Sequence, residues 1–85
     1  MIEQFEETVA AQLNLPVSEV FGGGWTLAEV LAKSPTAINS IDLMEAFAFA
    51  MAHHGLDERL NLPAFTLNDK IDDVIVDIEH QMNAS

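Results

Sequence analysis

Between Ser40 and Gly55 the chain has neither proline nor glycine, and Leu, Met, Glu and Ala dominate. A run of that kind favours helix. On a helix, Leu43, Ala46, Phe47, Phe49 and Ala50 cluster on one side. Ile41, Met44, Ala48 and Met51 form a second apolar stripe elsewhere on the circumference. A helix this apolar all round is normally buried. A chain of 85 residues has too little protein to cover both sides. One stripe is therefore expected in the core, and the second is a candidate partner surface.

The rest of the chain reads as helices around that one. Ile2, Phe5, Val9 and Leu13 recur at helical steps, with Glu3, Glu6 and Glu7 near the positive end of the helix dipole. Asn14-Leu15-Pro16 ends this helix, and Val17, Val20 and Phe21 supply a short apolar segment, expected as a single turn. Gly22-Gly23-Gly24 reads as a flexible link: no strand precedes it and no Gly-Lys-Ser/Thr follows, so a phosphate loop is not indicated. Thr26 and Glu29 have capping-box spacing and open a short helix to Lys33, which Ser34-Pro35 stops. Residues 56–65 read as a connection with one helical turn, broken by Pro63. Thr66 and Asp69 suit the start of a last helix, in which Ile71, Val74, Ile75, Ile78 and Met82 form the apolar stripe. Asp72, Asp73, Asp77 and Glu79 are expected to face water. The expectation is one all-α domain over residues 1–85: three main helices, one or two short ones, and a long irregular first connection.

Charge and composition narrow the function. Three basic residues against fourteen acidic ones give a formal charge of −11. That balance disfavours nucleic acid and anionic membranes, and favours partners with basic patches. The acidic, amphipathic N-terminus is unlike a signal or transit peptide, and Ala46 to Ala52 is too short to span a bilayer. A soluble, cytoplasmic monomer is expected. With no cysteine, any thiol the protein uses must arrive on a cofactor.

Ser40 is the candidate chemical residue. It opens the apolar helix, where unpaired backbone amides and the dipole favour an anion such as a phosphodiester on the hydroxyl. The plain alternative is that Ser40 or Asn39 simply caps the helix. His53, His54 and His80 lack metal-ligand spacing and read as surface or half-buried side chains, and no metal site is expected. Nothing places a base and an orienting group near Ser40 for hydrolysis, so no catalytic residues are assigned. Trp25 reads as packing against the short helix rather than as a partner contact.

The run Asn39-Ser40-Ile41-Asp42 resembles the Asp-Ser-Leu-Asp signature of acyl and peptidyl carrier proteins. Met44-Glu45 is similar to the hydrophobic-Glu pair that follows it, and Thr66-Leu67-Asn68-Asp69-Lys70-Ile71 to the start of the family's last helix. The likeness covers nearly the whole chain. It implies a non-enzymatic carrier bearing 4′-phosphopantetheine on Ser40, attached from coenzyme A by a phosphopantetheinyl transferase. Acyl, polyketide or aminoacyl groups would ride on the arm as thioesters. It also implies that biosynthetic enzymes read Asn39, Ile41, Asp42, Met44, Glu45, Ala48 and Met51. The chain departs from the family pattern at Asn39, commonly Asp, and at Ala37, commonly Gly. It also has Met51, Ala52 and His53 where glutamates are usual. Fewer carboxylates shift recognition toward apolar contact, implying a specialised carrier of secondary metabolism rather than a general fatty-acid carrier. The alternative is an unmodified helical adaptor that keeps the carrier fold.

Overall fold

The structure is a computed structural model and describes residues 2–84. The first apolar stripe forms α1 (Ile2–Gln12), with Phe5, Val9 and Leu13 buried and Ile2 packed at the core's edge. Asn14 ends the helix in the left-handed region (φ 58°), which asparagine tolerates better than most residues. The Leu15 amide then reaches back to the Ala10 carbonyl and the Asn14 amide to Ala11 (both 3.1 Å), the paired bonds of a Schellman end. The expected turn follows as a 3-10 segment over Val17–Glu19, after which Val20 and Phe21 enter the core.

The short helix α2 (Leu27–Lys33) starts with the expected capping box. The Glu29 amide donates to Thr26 Oγ1 at 3.2 Å, and the Thr26 amide donates to Glu29 Oε1 at 2.8 Å. That backbone bond holds the Glu29 carboxyl below its ordinary range. Lys33 in the last turn lies 3.1 Å from the centre of the Trp25 ring, so Trp25 packs against the short helix as expected.

Two further helices complete the bundle: α3 (Ser40–His53) and α4 (Ile71–Ala84). Among the described residues no strand forms, and three long helices with α2 and the 3-10 turn give a small all-α fold. α1 and α3 pack along each other most extensively. Their interface contains Phe5 against Phe47, at 6.1 Å between ring centres. His54, just past α3, is half-buried beside Phe5, and its Nε2 lies 2.8 Å from Thr8 Oγ1. The Thr8 hydroxyl gives its only proton to the Gln4 carbonyl (3.0 Å), so His54 Nε2–H is the donor to it.

Three details differ from expectation. The glycine run is pinned rather than loose: Gly22 and Gly24 donate their amides to the two carboxylate oxygens of Asp72, at 2.9 and 3.1 Å. Asp72 is consequently drawn in from the solvent face on which its spacing placed it. Positive φ at Gly22 (88°) and Gly24 (71°) turns both amides toward one anion, a geometry that side-chain-bearing residues rarely adopt. The last helix begins at Ile71, later than Thr66 and Asp69 suggest. Backbone bonds Leu27–Asp69, Ala28–Leu67 and Ile71–Trp25, with an antiparallel bridge between Thr26 and Lys70, tie residues 67–71 to the start of α2. Thr66 and Asp69 close a turn over 66–69 within that segment instead. Finally, Phe49 is 47% exposed although its spacing grouped it with the core residues. It lies at the margin of that group, and its ring stacks on His53 with centres 5.9 Å apart.

Residues 56–60 make the expected turn, with Leu56 and Leu60 buried. Beyond it, the Gln81 side-chain amide exchanges two hydrogen bonds with the Asn61 backbone, at 2.9 and 2.8 Å, fastening the connection to α4. Glu6 lies where α1 approaches α4. Partial burial, then repulsion from Asp72, Glu3 and Glu79, pushes its carboxyl above the ordinary value.

Candidate functional site at the start of α3

The loop before α3 is tied down at both ends. Ser34 Oγ donates to the Leu13 carbonyl at 2.7 Å and accepts from the Ala37 amide at 3.0 Å. Asn14 Nδ2 donates to Thr36 Oγ1 at 2.8 Å. The loop therefore leaves α2 fixed against the end of α1, and this sets where α3 begins.

Asn39, not Ser40, is the cap. Its backbone is extended, and its Oδ1 accepts from the Asp42 amide at 3.2 Å. Asp42 answers with Oδ2, which accepts from the Asn39 amide at 3.3 Å and from the Ile38 amide at 2.7 Å. Both side chains of the Asn-Ser-Ile-Asp run that flank Ser40 are thus engaged in holding the helix start. Ser40 is the first helical residue, half-buried, and its hydroxyl is left out of the cap. Ser40 and Ile41 have amides without a partner inside the helix, and these point toward the same end.

Around Ser40 the surface is apolar. Ile38 is 85% exposed, Ile41 and Met44 are exposed one and two turns further on, and Ala48 continues the line. Glu45 is exposed beside them. Met51, assigned by spacing to this stripe, is only 4% exposed and belongs to the core. The reason is local: the Leu56 amide bonds to the Met51 carbonyl at 2.7 Å, which folds the following segment over that end of α3. Met51 is thereby removed from the candidate partner face. Ile38 was not among the residues assigned to it, because it precedes the cap and the helical count starts after it. Its position three residues before Ile41 is the signal that continues the stripe backward.

A shallow groove of about 290 Å³ lies on the other flank of α3's first turns. Leu13, Ala37, Ala46 and Phe49 give it apolar surface, and Gln12, Thr36, Asp42 and Glu45 polar surface. Of the three histidines, His54 bonds to Thr8 and His53 stacks on Phe49. No group of three or more acidic, histidine or cysteine side chains gathers as a metal site among the described residues. None of the described helices is long and apolar enough to cross a membrane. No family model, no curated protein and no solved structure matches the chain.

Proposed function

We propose that this chain is a carrier: Ser40 bears a 4′-phosphopantetheine arm, on whose thiol acyl, polyketide or aminoacyl groups travel between biosynthetic enzymes. One observation carries the reading. At the start of α3, Asn39 and Asp42 do the capping, so the serine hydroxyl has no structural duty there. Its surroundings agree with the assignment, since the exposed Ile38, Ile41 and Met44 offer an apolar footing to an enzyme. The arm attaches when Ser40 Oγ attacks the pyrophosphate of coenzyme A at the phosphorus bearing pantetheine. A phosphodiester bond forms, the bond to the second phosphorus oxygen breaks, and adenosine 3′,5′-bisphosphate leaves with the electron pair. The hydroxyl proton passes to a base of the transferase. The carrier itself performs no catalysis, works in the cytoplasm as a monomer, and depends on its partners for the choice of cargo.

Incubation with coenzyme A and a broad-specificity phosphopantetheinyl transferase tests this directly by intact mass. The expected result is one phosphopantetheine added to the wild type and none to Ser40→Ala. No gain, or a gain that persists in Ser40→Ala, defeats the reading.

The second reading is an unmodified adaptor that binds through the same apolar face. Asp42 favours it, because its carboxylate already occupies the Ile38 and Asn39 amides at the helix start. A phosphate at Ser40 would meet that charge. The adaptor reading expects Ser40→Ala to keep partner binding intact, and Ile41→Asp to abolish it.

A further inference from the structure

Resting on the carrier reading, we propose that Ile38 is the anchor by which the transferase selects this chain, and that Asp42 is the residue that positions it. Ile38 stands two residues before Ser40, so their Cα atoms lie within about 7 Å of each other. An enzyme that brings coenzyme A to the Ser40 hydroxyl therefore lays its own surface beside Ile38.

Among the described residues, Ile38 is the most exposed large apolar side chain, at 85%. Its backbone, by contrast, is fastened on both sides. The Ile38 amide donates to Asp42 Oδ2 at 2.7 Å, and the same oxygen accepts the Asn39 amide at 3.3 Å. Before it, the Ala37 amide donates to Ser34 Oγ at 3.0 Å, and that hydroxyl is fixed on the Leu13 carbonyl at 2.7 Å. Leaving this side chain in water contributes nothing to the fold. Carrying it on a backbone already in place does lower the ordering cost of binding. A few such apolar anchors, each filling a pocket on the partner, dominate an interface. The surroundings define that pocket. Ile41 extends the apolar surface at 60% exposure, Glu45 is exposed, and the chain's net charge is −11. The transferase is expected to offer an apolar pocket for Ile38, edged by lysine or arginine. Asp42 has a different part from Glu45, because its Oδ2 is turned to the chain's own amides. It acts through the Ile38 backbone rather than by touching the enzyme.

The test loads the full chain from saturating coenzyme A with the broad-specificity transferase. The concentration of the chain is varied, and phosphopantetheine addition is followed by intact mass. Ile38→Ser should raise KM for the chain about thirtyfold with kcat unchanged, the size of an interface hot spot. Ile38→Leu should bring KM back to within about threefold of the wild type, since an apolar anchor of the same volume remains. Asp42→Ala should raise KM about tenfold and speed hydrogen exchange at the Ile38 amide. Asp42→Asn keeps a carbonyl oxygen for both amides, so it should restore KM and the slow exchange together. Circular dichroism should report an unchanged fold in the Ile38 variants, because that side chain is exposed. A KM unmoved by Ile38→Ser overturns the anchor. Equal KM for Asp42→Asn and Asp42→Ala overturns the positioning role, because the carboxylate then acts by its charge on the enzyme. A fall in kcat in Asp42→Ala without a rise in KM overturns it too, since that marks a loosened helix start. Each of these results leaves the carrier reading standing. Failure of the wild type to gain phosphopantetheine overturns the carrier reading, and the anchor with it.

Discussion

Replacing Asp72 by asparagine tests whether one side chain fixes the long first connection. The carboxylate accepts the Gly22 amide on Oδ1 and the Gly24 amide on Oδ2. Asparagine keeps one acceptor and turns an NH₂ group toward the other glycine amide, so one charge-assisted bond is lost. A hydrogen bond to a charged group contributes about 1.5–3 kcal/mol, and the exposure of this clamp argues for the lower end. Removing a negative charge from the first turn of α4 costs about 0.3–1 kcal/mol more. The expected loss is ~2 kcal/mol, or a fall of ~2 M in the urea midpoint at a slope of ~1 kcal/mol/M. Trp25, the only tryptophan, sits beside the clamp and reports unfolding by fluorescence. Hydrogen exchange at Gly22 and Gly24 reports the clamp itself. Asp73→Asn, which loses the same dipole interaction but no clamp bond, should cost no more than about 1 kcal/mol. Equal effects from the two variants, or unchanged exchange at Gly24, would refute the reasoning.

Three more outcomes are expected. Asn39→Ala should cost about 1 kcal/mol in urea unfolding, whereas Ser40→Ala should stay within about 0.5 kcal/mol, because Asn39 holds the cap. Met51→Ala should cost about 2–5 kcal/mol and Met44→Ala less than about 0.5 kcal/mol, since only Met51 is buried; thermal melts would separate them. Glu6 binds its proton more tightly in the folded chain than its ordinary value of 4.5, so its contribution makes stability fall as pH rises from that value through the raised one. Glu6→Gln should accordingly stabilise at pH 7, with the gain vanishing below pH 4.5, as measured by urea midpoints across pH.

Much of the helical framework was legible because local signals and core packing agree. The α1 stripe, the Thr26–Glu29 box and the apolar face of α4 all occur where their spacing puts them. What spacing missed was set by distant contacts. Gly22 and Gly24 carry no mark of a bond to a residue about fifty positions later. Thr66 and Asp69 have the chemistry of a helix start, but pairing with Trp25 to Ala28 delays the helix to Ile71. At the candidate site, periodicity located α3 and its exposed stripe around Ile41 and Met44. It misassigned Met51 and Phe49, which lie at the margins between faces, where the fold of the neighbouring loops decides burial. The sequence also left open whether Ser40 or Asn39 caps the helix, and the side-chain bonds of Asn39 decide that.

The clamp on the glycine loop also bears on the order in which the chain matures. Gly22 leaves the ribosome fifty residues ahead of the Asp72 that secures it, whereas the cap of α3 joins Asn39 and Asp42, three residues apart. A chain ending before Ile71 would lack the carboxylate that fastens Gly22 and Gly24, while the Asn39–Asp42 cap lies wholly within it. An enzyme that reads the helix start alone would accept such an intermediate. One that also touches the Gly22–Trp25 segment would need α4 in place.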